Sequence, residues 1–195
     1  PVPTPQIKKD YIRSLGANLL EIGETYDDSF LAACELAETE KMFYVHPVSD
    51  RYTVAGQGTI TLELLEQIPD LDQVIVPIGG GGLITGISFT MKQLKPSVKL
   101  VGVMPEGSAV YYASRQAGNL LTLEHCASMA DACVRKTGEP YLYPYIEQYV
   151  DEIVTVTEES IRKAVKMACL YGKLTLEGAG AMPLAALLEN KCQAI

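Results

Sequence analysis

The sequence has few of the residues on which metal sites and nucleophilic triads depend. It contains only two histidines, His46 and His125, and its five cysteines are odd in number and show no C-x-x-C spacing. Zinc sites need closely spaced His and Cys ligands, and α/β-hydrolases need a Gly-x-Ser-x-Gly turn, which is absent. The composition therefore argues against both classes, and unpaired cysteines are typical of a reducing compartment.

Basic residues are also scarce, with 16 Lys and Arg against 24 Asp and Glu, for a formal net charge of −8. Such a chain repels polyanions, so we predict no nucleic-acid partner. The most apolar stretch, residues 74–89, is broken by Pro77 and by glycines, which predicts no membrane span. With 48% hydrophobic residues, the chain is expected to form a globular core, and we predict a cytoplasmic location.

What the sequence does have is a run of four glycines, Gly79, Gly80, Gly81 and Gly82, between a short apolar segment and a helical pattern. Glycine permits positive φ and lets backbone N–H groups approach a ligand closely. The start of the following helix adds unpaired N–H donors and a positive dipole end. The pattern predicts a phosphate-binding turn, and the alternative is a turn that is rich in glycine only because it packs tightly.

Two familiar phosphate loops do not fit this run. A dinucleotide fingerprint needs glycines at n, n+2 and n+5, and no choice of n within residues 79–82 satisfies all three positions. A nucleoside-triphosphate loop would match Gly81, Gly86 and Ser88, but Ile87 occupies the lysine position. The phosphate predicted here therefore belongs to another class of ligand.

Helical and extended patterns alternate along the chain, which predicts an α/β fold with three layers and a mostly parallel sheet flanked by helices. Thr4 and either Asp27 or Asp28 are predicted to cap the first two helices. No element is assigned between residues 118 and 149. The predicted strands are 19–22, 43–45, 74–78, 99–103 and 152–156, and the predicted helices are 5–16, 28–41, 60–68, 82–94, 109–117, 158–171 and 180–190.

Four motifs together resemble one enzyme family. They are the run 77–83, the pair His46-Pro47, the segment 55–59 (Ala-Gly-Gln-Gly-Thr) and the segment 176–181 (Leu-Glu-Gly-Ala-Gly-Ala). In their order along the chain these motifs are similar to those of the threonine dehydratase and serine racemase family, which are fold type II enzymes of the tryptophan synthase β type. The resemblance implies pyridoxal phosphate as cofactor, held at its phosphate by Gly79, Gly80, Gly81, Gly82 and the N–H of Leu83. It also implies that Glu177 lies beside the cofactor ring, although a carboxylate at this position is equally expected as a helix cap.

The resemblance also implies that the chain is a fragment. The family's Ser-x-Lys-x-Arg segment, whose lysine forms the Schiff base, and its Ser-Gly-Asn-His stretch have no match here. The closing Ser-Gly-Gly-Asn turn is expected after Ile195. We therefore expect residues 1–47 to be the second half of a small domain and residues 48–195 most of a large domain. The catalytic residue is unknown, and the chain alone is predicted to be inactive.

Several positions depart from the family pattern. Gly178 replaces a proline after the glutamate and indicates a looser turn. Met104 and Val110 stand where the racemase branch has carboxylates that bind a cation, so no metal site is predicted. Ala132 replaces a glycine in the Ala-Asp-Gly turn that faces the substrate.

The resemblance implies a threonine or serine dehydratase that converts L-threonine or L-serine into a 2-oxo acid and ammonia, as a homodimer when full-length. Two alternatives stay open: a non-catalytic binding or assembly module, and a serine racemase-like enzyme.

Overall fold

The computed structural model describes residues 1–24 and 26–193. The side chain of Asp27, one of the two predicted caps of the second helix, lies outside the described part. The chain divides into two compact units, Pro1–Val45 and His46–Ile195. No helix within the described ranges combines the length and the apolar character that crossing a bilayer requires.

The first unit contains two helices, α1 (Gln6–Ser14) and α2 (Tyr26–Thr39). The strands predicted at 19–22 and 43–45 are wrong, because these segments are extended loops without a strand ladder in the described residues. A β-strand exists only where a neighbour pairs with its backbone, which apolar patterning alone does not guarantee. The predicted Thr4 cap is also wrong, since Pro5 occupies the N-cap position of α1 and no side chain caps it.

The second unit opens with α3 (Arg51–Gln67), which begins before the predicted start after residue 59. The Asp50 carboxylate accepts the N–H groups of Tyr52 and Thr53 at 2.8 and 3.1 Å, and this is a standard helix N-cap. The glycines within 55–59 therefore lie inside the helix.

Gly58 is required there because a Cβ would lie 2.5 Å from the Oγ1 of Thr90 on the neighbouring helix.

The sheet consists of three parallel strands in the order β1 (Gln73–Pro77), β2 (Lys99–Pro105), β3 (Glu152–Val156). The predictions for these three strands are confirmed, with shifts of one or two residues at some ends. Successive residues of β2 alternate between two cores: Leu100 belongs to one and Val101 to the other. Both faces of the sheet are thus covered, and the predicted α/β class with a parallel sheet flanked by helices is confirmed.

Five further helices complete the described unit: α4 (Gly82–Leu94), α5 (Val110–Ala117), α6 (Tyr143–Tyr149), α7 (Glu158–Met167) and α8 (Gly178–Leu188). One core lies between the sheet and the helices α4, α5 and α6, and the other lies between the sheet and α7 and α8. α6 was not predicted. α7 ends earlier than predicted, because the chain continues as a π-helical turn, Ala168–Gly172.

Candidate active site

The glycine loop follows β1 directly. The Ile78 N–H donates to the Val103 carbonyl at 2.8 Å, as the last bond of the ladder, and the chain then turns away from the sheet. Gly81 adopts φ +96°, which L side chains rarely tolerate, and occupies the N-cap position of α4. The Thr85 N–H donates to the Gly81 carbonyl at 3.0 Å and begins the helix. The predicted strand-turn-helix arrangement is therefore present.

The glycine loop is also closely packed against the neighbouring residues Val48 and Ala132. A Cβ on Gly79 would lie 2.7 Å from the Ala132 carbonyl oxygen, and one on Gly80 would lie 2.7 Å from the Val48 side chain. A Cβ on Gly82 would lie 2.9 Å from the Val48 carbonyl oxygen. Tight packing, the alternative explanation for the glycines, is thus real, but it does not account for the backbone N–H groups of the loop.

The backbone N–H groups of the glycine loop lack hydrogen-bond acceptors among the described residues. In the described part of the chain, none of the backbone N–H groups of residues 79–83 donates a hydrogen bond to a protein acceptor. These donors lie at the N-terminus of α4, where the helix dipole adds positive potential. A loop of this kind is suited to an anion that accepts several hydrogen bonds at once.

Tyr111 on α5 orients one of these donors. Its hydroxyl accepts the Glu139 N–H at 2.8 Å and donates to the Gly80 carbonyl at 2.8 Å. The C=O and N–H of a trans peptide unit point in opposite directions, so this bond directs the Gly81 N–H away from Tyr111. Burial of the ring raises the pKa of the Tyr111 hydroxyl well above its usual value, which keeps it a proton donor.

The loop lines a cleft of about 410 Å³. Glu177, at the N-cap position of α8, lines the same cleft, so the structure brings all six predicted cofactor-binding residues together. The helix-cap alternative is confirmed in position only, because the Glu177 side chain is exposed and makes no capping hydrogen bond to α8. The residues lining the cleft are Pro47, Val48, Gln57, Pro77, Gly79, Gly80, Gly81, Gly82, Leu83, Ala132, Cys133, Glu177, Ala179 and Gly180.

Comparison with known proteins identifies the family of the chain. Residues 1–195 match the family model described as pyridoxal-phosphate dependent enzyme. The chain belongs to this family. It is 38% identical over 186 residues to an L-threonine ammonia-lyase of Thermotoga maritima, covering 95% of this chain and 46% of that protein. It is likewise 38% identical over 191 residues to L-threonine dehydratase of Staphylococcus aureus, covering 98% of this chain and 55% of that protein.

Solved structures of the pyridoxal-phosphate family agree in fold. A threonine deaminase from Solanum lycopersicum superposes with a TM-score of 0.91 at 33% identity, covering 99% of this chain and 57% of that one. Maize serine racemase superposes with a TM-score of 0.92 at 31% identity, covering 98% of this chain and 59% of that one. The chain thus spans about half the length of the curated relatives it matches.

The residues present fit the phosphate of the family's cofactor. Free N–H groups at a helix start match a phosphate dianion, and any side chain in place of the four glycines would collide with the loop's surroundings. No lysine is among the described residues that line the cleft. A covalent attachment of the cofactor therefore has no partner in the described cleft.

Gly178, expected to loosen the turn after Glu177, packs closely. A Cβ added to Gly178 would lie 3.0 Å from the Cα of Ala130 and 3.0 Å from the carbonyl oxygen of Met129. The Glu158 carboxylate fixes this facing loop by accepting from the Ser128 hydroxyl and from the Met129 N–H at 3.0 Å. The glycine thus allows a close approach of the facing loop, and the looser turn stays a prediction.

Cys133 is a cleft residue that sequence reasoning missed. It is 4% exposed, and burial raises the pKa of its thiol to about 11, with the Glu177 and Asp131 carboxylates adding to the effect. The neutral thiol is therefore the form present near neutral pH. Its place directly after the Ala130-Asp131-Ala132 turn is the signal that marks it in the sequence.

The two residues that stand at the expected positions of cation ligands lie in the core. Met104 and Val110 are fully buried among apolar neighbours. Within residues 1–24 and 26–193, no group of three His, Cys, Asp or Glu side chains is arranged to hold a metal ion. His46 has a local role, since its Nδ1 accepts the N–H groups of Val48 and Ser49 at 3.1 and 2.7 Å.

Proposed function

We propose that this chain is the phosphate-holding part of a pyridoxal-phosphate dependent dehydratase acting on L-threonine or L-serine. The observation that supports the proposal is a row of five backbone N–H groups, residues 79–83, that have no protein acceptor and line a cleft shared with Glu177. The substrate class rests on the relatives, which are named L-threonine ammonia-lyase and L-threonine dehydratase.

In this proposal the chain binds and orients. The backbone N–H groups of Gly79, Gly80, Gly81, Gly82 and Leu83 donate hydrogen bonds to the phosphate, while Tyr111 holds the loop in its binding conformation. Glu177 places a negative charge beside the cofactor ring and Cys133 closes the cleft without contributing charge. When bound, pyridoxal phosphate supplies the electron sink for removing a proton from the substrate carbon. Residues 1–47 belong to the small domain and residues 48–195 to the large one.

Dehydration is favoured over racemisation because Met104 and Val110 carry no oxygen ligands for a hard cation. We further propose a homodimer and a cytoplasmic location for the full-length protein. The five cysteines are free thiols, and this agrees with a reducing compartment.

The cofactor assignment is tested by equilibrium dialysis of the purified chain against pyridoxal phosphate and, as a matched control, pyridoxal. We expect saturable binding of the phosphate ester and at least tenfold weaker binding of pyridoxal, because the alcohol loses charge-assisted hydrogen bonds. Borohydride reduction followed by mass spectrometry should leave no lysine stoichiometrically modified. Equal affinity for both compounds would contradict the phosphate assignment.

The reaction is tested with the protein translated from the coding sequence extended upstream of Pro1. We expect it to contain an in-frame Ser-x-Lys segment and to convert L-threonine to a 2-oxo acid and ammonia, whereas residues 1–195 alone do neither. The 2-oxo acid is measured by coupled reduction. A start codon immediately before Pro1 would favour the non-catalytic module instead, and formation of D-serine without a 2-oxo acid would favour a racemase.

A further inference from the structure

A second cavity, of about 290 Å³, lies between α3, α4 and α6 and shares no lining residue with the glycine cleft. Its volume is near the lower end of the roughly 300–1,000 Å³ typical of ligand pockets. Three aromatic side chains, Phe89, Tyr141 and Tyr145, form much of its wall. The Phe89 and Tyr145 rings meet edge to face with centroids 6.3 Å apart, and the centroids of Tyr141 and Tyr145 are 5.8 Å apart.

Thr85, in the second turn of α4, also lines this cavity and is only 2% exposed. Among the described residues, its Oγ1 is the one buried side-chain oxygen or nitrogen that has no hydrogen-bond partner. A helical threonine hydroxyl often donates to the carbonyl four residues earlier, which also accepts the backbone N–H, but the Gly81 carbonyl accepts only the N–H of Thr85 and not its hydroxyl. Leaving a buried hydroxyl unpaired is unfavourable, so it calls for an explanation.

Arg51, the exposed first residue of α3, also lines this cavity. Its guanidinium lies 4.6 Å from the centroid of the Tyr52 ring and donates to the Tyr52 hydroxyl at 2.8 Å. In the part of the chain that the structure describes, no carboxylate forms an ion pair with it. In a chain with a formal net charge of −8, a cation without an acidic partner at an aromatic cavity is suited to an anionic ligand.

We propose that this cavity binds a small monocarboxylic acid with an apolar body, separately from the cofactor. The aromatic walls would hold the apolar body, the Arg51 guanidinium would pair with the carboxylate, and the Thr85 hydroxyl would gain its missing hydrogen bond. The site is distinct from the proposed function, but α4 carries both: Gly82 begins the helix at the glycine cleft and Thr85 reaches the second cavity.

The probes are phenylacetate and its neutral analogue phenylacetamide, titrated into the purified chain by isothermal calorimetry. We expect phenylacetate to bind saturably and phenylacetamide to bind about tenfold more weakly, because hydrogen bonds to a charged group are the stronger ones. Arg51→Met and Thr85→Val should each weaken phenylacetate by about tenfold. The control variants Arg162→Met on α7 and Thr59→Val on α3 should leave its affinity unchanged.

Thr85→Val also carries a readout that separates binding from folding. Valine matches threonine in shape and removes the unpaired hydroxyl, so the melting temperature should stay the same or rise while phenylacetate affinity falls. Equal binding of acid and amide, or unchanged affinity in Arg51→Met, would overturn the proposal. Displacement of phenylacetate by pyridoxal phosphate would also overturn it, because phenylacetate would then occupy the glycine cleft. So would self-association of the chain that is lost in Arg51→Met and that competes with phenylacetate, because a second copy of the chain would then be the occupant of the cavity.

Discussion

The glycine loop and the turn at Glu177 line the same cleft, yet the fold holds them differently. Each position in residues 79–82 has a neighbouring atom within 3 Å of where a Cβ would lie. The Glu177 side chain is exposed and forms no hydrogen bond with the described residues. Backbone geometry thus fixes the glycine-loop side of the cleft in advance, while the opposite side carries a carboxylate that no hydrogen bond from the described residues holds in place.

The largest expected effect comes from Gly81→Ala. The alanine would have to adopt the left-handed φ of Gly81, and its Cβ would lie 2.9 Å from the Tyr111 hydroxyl and from the Ile146 side chain. Strain and overpacking together should lower the free energy of unfolding by about 2–4 kcal/mol, and pyridoxal phosphate binding should be lost. Urea unfolding and equilibrium dialysis measure the two effects.

Gly118→Ala is the matched control. Gly118 also has positive φ, +72°, but open space surrounds its Cβ position. Gly118→Ala should lower the free energy of unfolding by only about 1–2 kcal/mol and leave cofactor binding intact. If both variants bound pyridoxal phosphate equally well, the loop would not be the phosphate site.

Tyr111→Phe should have the next largest effect. It removes the acceptor of the Glu139 N–H and the donor to the Gly80 carbonyl, so stability should fall by about 1–3 kcal/mol. Cofactor affinity should fall as well, because the Gly81 N–H is no longer directed into the cleft. Tyr112→Phe, at an exposed neighbour on the same helix, should change neither value. An unchanged affinity in Tyr111→Phe would show that the loop keeps its conformation without this hydroxyl.

A smaller effect is expected from the Cys133 thiol at high pH. Its pKa is about 11 in the folded chain against 9.0 for an ordinary thiol. The fold favours the protonated form, so this contribution is fully present below pH 9 and is lost as the pH rises to about 11. The expected loss is about 2 kcal/mol. Urea unfolding from pH 8 to 11 should show a shallower decline in Cys133→Ala than in the parent chain, and identical slopes would contradict the prediction.

The smallest effect concerns the charge on Glu177. Glu177→Gln removes one of the carboxylates that raise the pKa of Cys133, so the pH midpoint of alkylation by iodoacetamide should move below about 11. Stability should not change, because the side chain is exposed and unbonded. Glu106→Gln, at another exposed carboxylate, is the control and should leave the midpoint where it was. A midpoint unmoved in both variants would show that Glu177 is too distant or too well solvated to act on the cleft.

The parts of the fold that sequence could predict are those whose signal is local and whose partners are also in the chain. The strands β1, β2 and β3 are short apolar runs between turn residues, and the glycine run stands where β1 ends. The segments 19–22 and 43–45 have similar composition but no ladder partner in the described residues. α6 was missed because it lies in an irregular stretch rich in Tyr and Pro; its Pro144 stands in the first turn, where proline is favoured.

The candidate site shows the same limit. The glycines and Glu177 were predicted from motifs, but the roles of Tyr111 and Cys133 depend on contacts between residues far apart in the chain. Tyr111 lies 31 residues from the carbonyl that it holds. No pattern within a short window reports such a bond, so only the three-dimensional arrangement reveals it.

The glycine pair Gly58 and Gly86 has a consequence for the cleft although neither residue lines it. A Cβ on Gly86 would lie 2.7 Å from the Gly58 nitrogen, so α3 and α4 touch through their main chains. Gln57 on α3 and Gly82 at the start of α4 both border the cleft. A Cβ on Gly86 would also lie 2.8 Å from the Cβ of Gln57, so a single methyl group added there would displace a residue of the lining and change the width of the opening between the two helices.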